Sequence, residues 1–197
     1  MYYSITILML IVLIFIMQIA FPPLTNMFYF DPAKIVAEPW LLVTSIFLHG
    51  GMMHLFFNGW ALLLFGPQLE RRTGSGEFLK IFFGSGIVGS ILYWLTILIG
   101  IIPPIPALGA SGAIFGVMGA LAVFAPDLRV LIWFFPMKMR EAIVLWFILE
   151  FLGTFDVGSG VASAAHLGGL VFGYLYAKWV KEHIERWYNP WGDYGVY

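Results

Sequence analysis

The chain has 197 residues, of which 61% are hydrophobic and 11% charged, with a net charge of -1. A folded chain in water carries about 25% charged residues, so lipid is the expected solvent here. The charge balance leaves no basic footprint for nucleic acid, and the absence of cysteine excludes disulfides, thiol catalysis and cysteine-ligated metal.

Hydropathy divides the chain into six apolar runs, at about 4–22, 52–69, 79–102, 107–125, 140–155 and 161–180. A spanning helix needs roughly 20 such residues. The first run follows Met1-Tyr2-Tyr3-Ser4 with no positive charge, and it ends at Phe21-Pro22-Pro23 without a small-residue cleavage signal. It is therefore expected to be a retained helix and not a signal peptide. The loop 23–51 holds Phe28, Tyr29, Phe30, Trp40 and Phe47 among few charges, a composition that suits short pieces embedded at the membrane interface. Runs two, four and five are short and contain polar or small residues, which favours a place inside a bundle. Pro103-Pro104-Ile105-Pro106 cannot be helix interior, so the fourth helix should begin near Leu108. The tail with Trp187, Tyr188, Trp191 and Tyr194 looks interfacial or loosely ordered. There is no internal repeat or linker. The expected fold is an all-α membrane protein, a six-transmembrane-helix bundle forming one domain over 1–197.

Positive charge orients the bundle. Of ten Lys and Arg residues, Arg71, Arg72, Lys80, Arg129, Lys138, Arg140, Lys178, Lys181 and Arg186 follow runs two, four and six, and Lys34 alone follows an odd run. The positive-inside rule makes the side with nine cytoplasmic, with both termini there, as befits a multi-pass protein of the cell membrane.

Polar residues within the apolar runs are costly, which marks them as candidates for function. His54 and Asn58, Ser111, and His166 all lie roughly 5–10 Å below the outer ends of runs two, four and six, at 1.5 Å per residue. Ser111 sits in Gly109-Ala110-Ser111-Gly112, at a helix mouth with free backbone N–H groups. There it can attack a carbonyl and offer its own N–H to an oxyanion, or simply serve as a small helix-contact residue or N-cap. His166 supplies the imidazole base that a serine nucleophile needs. It shares a face with Gly169 and Gly173, while Gly112, Gly116 and Gly119 form a second stripe beside Ser111. Stripe against stripe would bring two backbones, and the two side chains, together. His54 and Asn58, spaced i and i+4, can both donate to an oxyanion or form an interhelical clamp. His49, His54 and His166 are a rival zinc set. Against it, no His-Glu-x-x-His element is present and no carboxylate is expected beside these histidines. Glu150, in run five, fits a gate, a hydrogen-bonded structural residue or a span that ends before it.

These segments resemble the rhomboid family of intramembrane proteases over most of Trp40 to Ala177. Phe47-Leu48-His49-Gly50-Gly51-Met52-Met53-His54 through Asn58 is similar to the family's entry to its second membrane helix. Glu70-Arg71-Arg72-Thr73-Gly74-Ser75-Gly76 resembles the following turn, Gly109-Ala110-Ser111-Gly112 its nucleophile motif, and Ala165-His166-Leu167-Gly168-Gly169 with Gly173 its last helix. The resemblance implies a catalytic dyad of Ser111 and His166 without a third acidic member, and oxyanion donors from His54, Asn58 and the Ser111 N–H. It implies hydrolysis of peptide bonds in transmembrane protein substrates, in the lipid bilayer, with no metal or organic cofactor. Two positions depart from the pattern. Trp40-Leu41 stands where many members have Trp-Arg, and Phe115 replaces a tyrosine, keeping a ring that can stack on His166 without the hydroxyl. A rhomboid-like protein that binds membrane clients without cutting them is the alternative. A small transporter would need midplane ionisable groups and inverted repeats, which the sequence does not display.

Overall fold

The computed structural model describes residues 2–132, 134–156 and 162–188, with side chains to 183. Trp191 and Tyr194 of the tail, and the side chains of Trp187 and Tyr188, lie outside this description. Helix α1 (Tyr3–Ala20) ends at the Pro22-Pro23 pair, which opens the short α2 (Pro23–Phe28). Helix α3 (Leu41–Thr44) runs on as a 3-10 turn (Ser45–Phe47). It is bent by 95° from the long α4 (Met52–Thr73). Helix α5 (Ser75–Leu98), α6 (Ser111–Phe124), α7 (Met139–Gly153) and α8 (Ser163–Tyr188) complete the set.

Each apolar run of the sequence is thus a helix. Two of them, α1 and α5, are long and apolar enough to cross a membrane alone, and the bent α3–α4 pair adds a third if taken as one span. Helix α6 has 14 residues, about 21 Å at 1.5 Å each, against about 30 Å of hydrocarbon. Its packing explains why so short a helix suffices. From Gly112 to Ala122 every residue except Phe115 is buried, because α4, α5, α7 and α8 surround it. A helix sheathed by protein need not match the bilayer, and its ends can open onto a polar cavity.

Two polar clamps hold the frame. At one end the Glu70 carboxylate of α4 accepts the Tyr3 N–H at 2.8 Å, the Ser4 N–H at 2.9 Å and the Ser4 hydroxyl at 2.8 Å. It also accepts the Ser75 hydroxyl at 2.7 Å. One buried side chain therefore satisfies the free N–H groups of α1 and fastens α1, α4 and α5 together. At the other end Gln18 accepts the His49 N–H at 3.0 Å and donates to the His49 carbonyl at 3.2 Å.

The loop after α2 is tied to the segment before α6. Phe30 and Ala107 exchange backbone hydrogen bonds of 2.9 and 3.0 Å, and Tyr93 donates its hydroxyl to the Ile105 carbonyl at 2.9 Å. Part of this loop's aromatic set therefore faces protein: Phe30 is buried while Trp40 is exposed. Leu41, at the position where the resemblance expects arginine, is 2% exposed and packs with Phe30, Ile35, Tyr93 and Ala164. Apolar packing here takes the place of a polar link.

The connection between α6 and α7, which lies between two apolar runs of the sequence, folds as an antiparallel hairpin, β1 (Arg129–Ile132) with β2 (Phe135–Lys138). Asp127 ties its base, 3.2 Å from Lys138 and 3.5 Å from Arg140. The Lys138 ammonium, then Arg140, hold the Asp127 carboxyl below the usual carboxylate range.

Glu70→Ala strands four donors at the junction of three helices. The expected loss is roughly 3 kcal/mol, read as a lower Tm in detergent. Glu70→Gln should lose less. An unchanged Tm for Glu70→Ala would show that water replaces the carboxylate without penalty.

Candidate active site

The nucleophile candidate lies where the chain enters α6. Ser111 is the first residue of that helix, so the expectation of a helix from near Leu108 is corrected. Pro106 ends any earlier turn, and Gly109, with φ +124, holds the backbone outside the helical region. The Gly109 N–H is spent on the Ser45 carbonyl at 2.9 Å. The first bond inside α6 runs from the Ile114 N–H to the Ala110 carbonyl at 2.9 Å. The N–H groups of Ser111, Gly112 and Ala113 therefore point out of the helix mouth.

His166 comes from the first turns of α8. Its Nε2 lies 2.6 Å from Ser111 Oγ. The approach depends on missing side chains. A Cβ on Gly169 would strike the Gly112 carbonyl, and one on Gly173 the Gly116 backbone. Helices α6 and α8 thus meet backbone to backbone along the two stripes. Phe115, one turn below Ser111, stacks on the imidazole with ring centres 4.6 Å apart and planes inclined by 9°. His166 is 8% exposed, so its ring is held on one face by Phe115 and at Nε2 by the serine.

His54 and Asn58 approach from α4. A Cβ on Gly109 would lie 2.7 Å from His54 Cε1 and Nε2 and 3.6 Å from Asn58 Nδ2. The two donors thus share the space beside the residue that precedes Ala110-Ser111. His54 Nδ1 accepts the Gly50 N–H at 3.4 Å. An accepting Nδ1 leaves the ring proton on Nε2, the nitrogen that faces Gly109. Asn58 Nδ2 is buried and has no hydrogen-bond partner among the described residues. An orphaned buried donor of this kind suits an acceptor that arrives with a ligand.

A cavity of about 460 Å³ opens over these groups, lined by Gly50, His54, Leu108, Ser111, Thr154 and His166 among others. That volume lies within the ordinary range for ligand sites. Among the described residues no three His, Asp or Glu side chains converge as metal ligands. His49 instead meets His54 edge to face, 5.1 Å between ring centres.

The charge in the fifth apolar run also reaches this site. Glu150 of α7 brings Oε2 to 3.0 Å from His166 Nδ1. The expectation that no carboxylate stands beside these histidines is corrected. The available signal was a charged residue in the interior of an apolar run, but its direction on the helix could not be read from spacing alone.

The fold and these residues define a class: a helical membrane protein that gathers a serine and two histidines in one cavity at its helix ends, with a buried asparagine beside Gly109. Comparison with known proteins narrows it. The Rhomboid domain family matches residues 36–182, and the chain belongs to the rhomboid family. It is 39% identical over 140 residues to the rhomboid protease GluP of Bacillus subtilis, covering 71% of this chain and 26% of that protein. It is 36% identical over 151 residues to the putative rhomboid protease YdcA of the same organism, covering 77% and 72% respectively. Rhomboid-like protease 2 of Toxoplasma gondii is 30% identical over 159 residues, 78% of this chain and 53% of the relative. The chain thus spans about a quarter of GluP and nearly three quarters of YdcA.

Gly109→Ala tests the close approach of α4 to the helix mouth. Its Cβ would press on the His54 ring at 2.7 Å, and the expected cost is about 2 kcal/mol in stability. Part of that cost should vanish in a His54→Ala background. Equal costs in the two backgrounds, read from Tm in a double-mutant cycle, would mean the ring is not the obstacle.

Proposed function

We propose that this protein is an intramembrane serine endopeptidase that cleaves transmembrane segments of membrane-protein substrates with a Ser111–His166 dyad. The observation that carries the reading is the 2.6 Å contact between His166 Nε2 and Ser111 Oγ. It is made by two helices 55 residues apart in sequence, inside a cavity. The family membership and the relatives named as proteases support it.

The chemistry follows from the positions. The Ser111 oxygen forms a bond to the substrate carbonyl carbon as its proton passes to His166 Nε2. The carbonyl π pair moves onto oxygen, where the Ser111 N–H, His54 Nε2 and Asn58 Nδ2 can donate. The C–N bond then breaks, and the imidazolium returns the proton to the leaving amine. Water repeats the sequence on the acyl-enzyme, using His166 again. No metal or organic cofactor enters any step.

In this reading α1, α4, α5, α6, α7 and α8 cross the bilayer, with both termini in the cytoplasm and the cavity toward the outer face. The short α6 then sets the mouth of the site below that surface. A substrate helix must unwind before Ser111 reaches a carbonyl, because a regular helix shields its own backbone. Glycine or proline near the scissile bond eases this by roughly 1 or 3 kcal/mol relative to alanine.

The test is cleavage of a single-span reporter protein in detergent or liposomes. Ser111→Ala and His166→Ala should abolish cleavage with the fold intact; such losses reach on the order of 10⁶ in soluble serine proteases. Asn58→Ala should lower kcat on the order of 10²-fold or somewhat less if His54 compensates. Turnover by Ser111→Ala equal to wild type would end the protease reading in favour of client binding.

Orientation is tested separately. Cysteines placed at either terminus should react with an impermeant thiol reagent only from the cytoplasmic side, and one placed at 36 only from outside. Opposite sidedness of the two termini would require an odd number of spans.

A further inference from the structure

Helix α7 is apolar and mostly faces outward. Its buried residues, Met139, Ala142 and Ile143, all fall in its first five positions. Further along, Ile148, Leu149, Phe151 and Leu152 are exposed. Glu150 stands among them and turns inward, its side chain 15% exposed. A carboxylate placed inside an apolar layer needs a polar partner, and its direction is therefore informative.

The partner is His166. Glu150 Oε2 and His166 Nδ1 are 3.0 Å apart, within ion-pair distance though without the full alignment of a hydrogen bond. Both atoms are buried, and neither has a hydrogen-bond partner among the described residues. Each is thus the complement that the other lacks. The opposite nitrogen of the same ring is engaged by Ser111 at 2.6 Å. Serine, imidazole and carboxylate therefore stand in line, on α6, α8 and α7.

We propose that Glu150 is a positioning residue for His166. Its carboxylate accepts the Nδ1–H, which fixes the tautomer whose Nε2 lone pair faces Ser111. When Nε2 takes the serine proton, the same carboxylate faces the imidazolium and stabilises it. The carboxylate keeps its charge throughout, and no proton leaves Nδ1. Phe115 and Glu150 then have separate tasks: stacking sets the plane of the ring, and the carboxylate sets its rotation within that plane and its tautomer. This inference rests on the proposed dyad, and it extends that dyad to a third helix. It also ties the last turn of α7, beyond the Trp146 that packs on Phe65 and Phe115, to the catalytic base.

The experiment uses the full chain in detergent with a single-span reporter substrate. Glu150→Gln, Glu150→Ala and Glu150→Asp are compared for kcat and KM, with Tm as the control for folding. Glu150→Gln should lower kcat by at least about tenfold with KM within about twofold, and Glu150→Asp should recover part of the loss. Glu150→Ala, which lacks any acceptor, should lose more than Glu150→Gln. A second measurement needs no variant that alters Glu150. ¹⁵N-histidine NMR of the wild type should find His166 protonated at Nδ1, its signal assigned by its absence in His166→Gln. Unchanged kcat in Glu150→Gln would overturn the proposal, as would a His166 tautomer protonated at Nε2. A loss confined to Tm or KM would make Glu150 a structural pin and equally overturn it. If the wild type itself neither cleaves nor reacts at Ser111, the protease reading fails first. If the wild type cleaves and Glu150→Gln matches it, only this proposal fails.

Discussion

The structure depends on the absence of side chains between α6 and α8. Carbonyl oxygens of the facing helix sit where a Cβ would be at Gly119, Gly169 and Gly173, Gly112 lies close to the Ala165 carbonyl, and Gly116 leaves room for the Ser85 side chain of α5 as well as for α8. Nothing in a bilayer drives two apolar helices together as water would, so close van der Waals packing has to supply the attraction. The same closeness decides the site. A side chain on Gly169 would push α8 outward by more than the tolerance of a 2.6 Å contact, and His166 would lose Ser111.

Around that contact the protein arranges a polar layer in an otherwise apolar body. The layer is affordable because the backbone groups that create it are individually satisfied. Gly109 gives its N–H to Ser45, and Phe30 and Ala107 bond each other. Gln18 satisfies both peptide groups of His49, and Glu70 collects the free end of α1. What remains without a partner among the described residues is instructive. Asn58 Nδ2, Glu150 Oε2 and His166 Nδ1 are at the site, where an unpaired group suits a substrate or its neighbour, while both ring nitrogens of His49 and Ser85 Oγ belong to the packed interior. Helix α6 links the two aspects. It has only 14 residues, and its mouth, with Ser111, lines the cavity.

Much of this was legible in the sequence. The six apolar runs correspond to the helices α1, α4, α5, α6, α7 and α8, and the glycine spacings pointed to the α6–α8 seam. The i, i+4 spacing of His54 and Asn58 placed them on one face. The rest depends on contacts in three dimensions. The start of α6 shifted to Ser111 because Gly109 adopts a positive φ, a choice that depends on Ser45 and His54 in three dimensions. The hairpin at 129–138 is held by pairing and by Asp127, and its apolar residues read as a loop between helices. Leu41 departs from the expected motif because the loop after α2 folds over a small apolar core. Glu150 was visible as a charge in an apolar run, yet its partner could be found only once the rotation of α7 was known.

The central claim is that Ser111 is made nucleophilic by a neighbouring imidazole inside the membrane-embedded body. It is tested most directly by treating the purified protein with a fluorophosphonate and locating the adduct by mass spectrometry. The account predicts one adduct per chain, on Ser111, that disappears in His166→Ala. No adduct, or one on a neighbouring serine such as Ser45, Ser85 or Ser163, would contradict it.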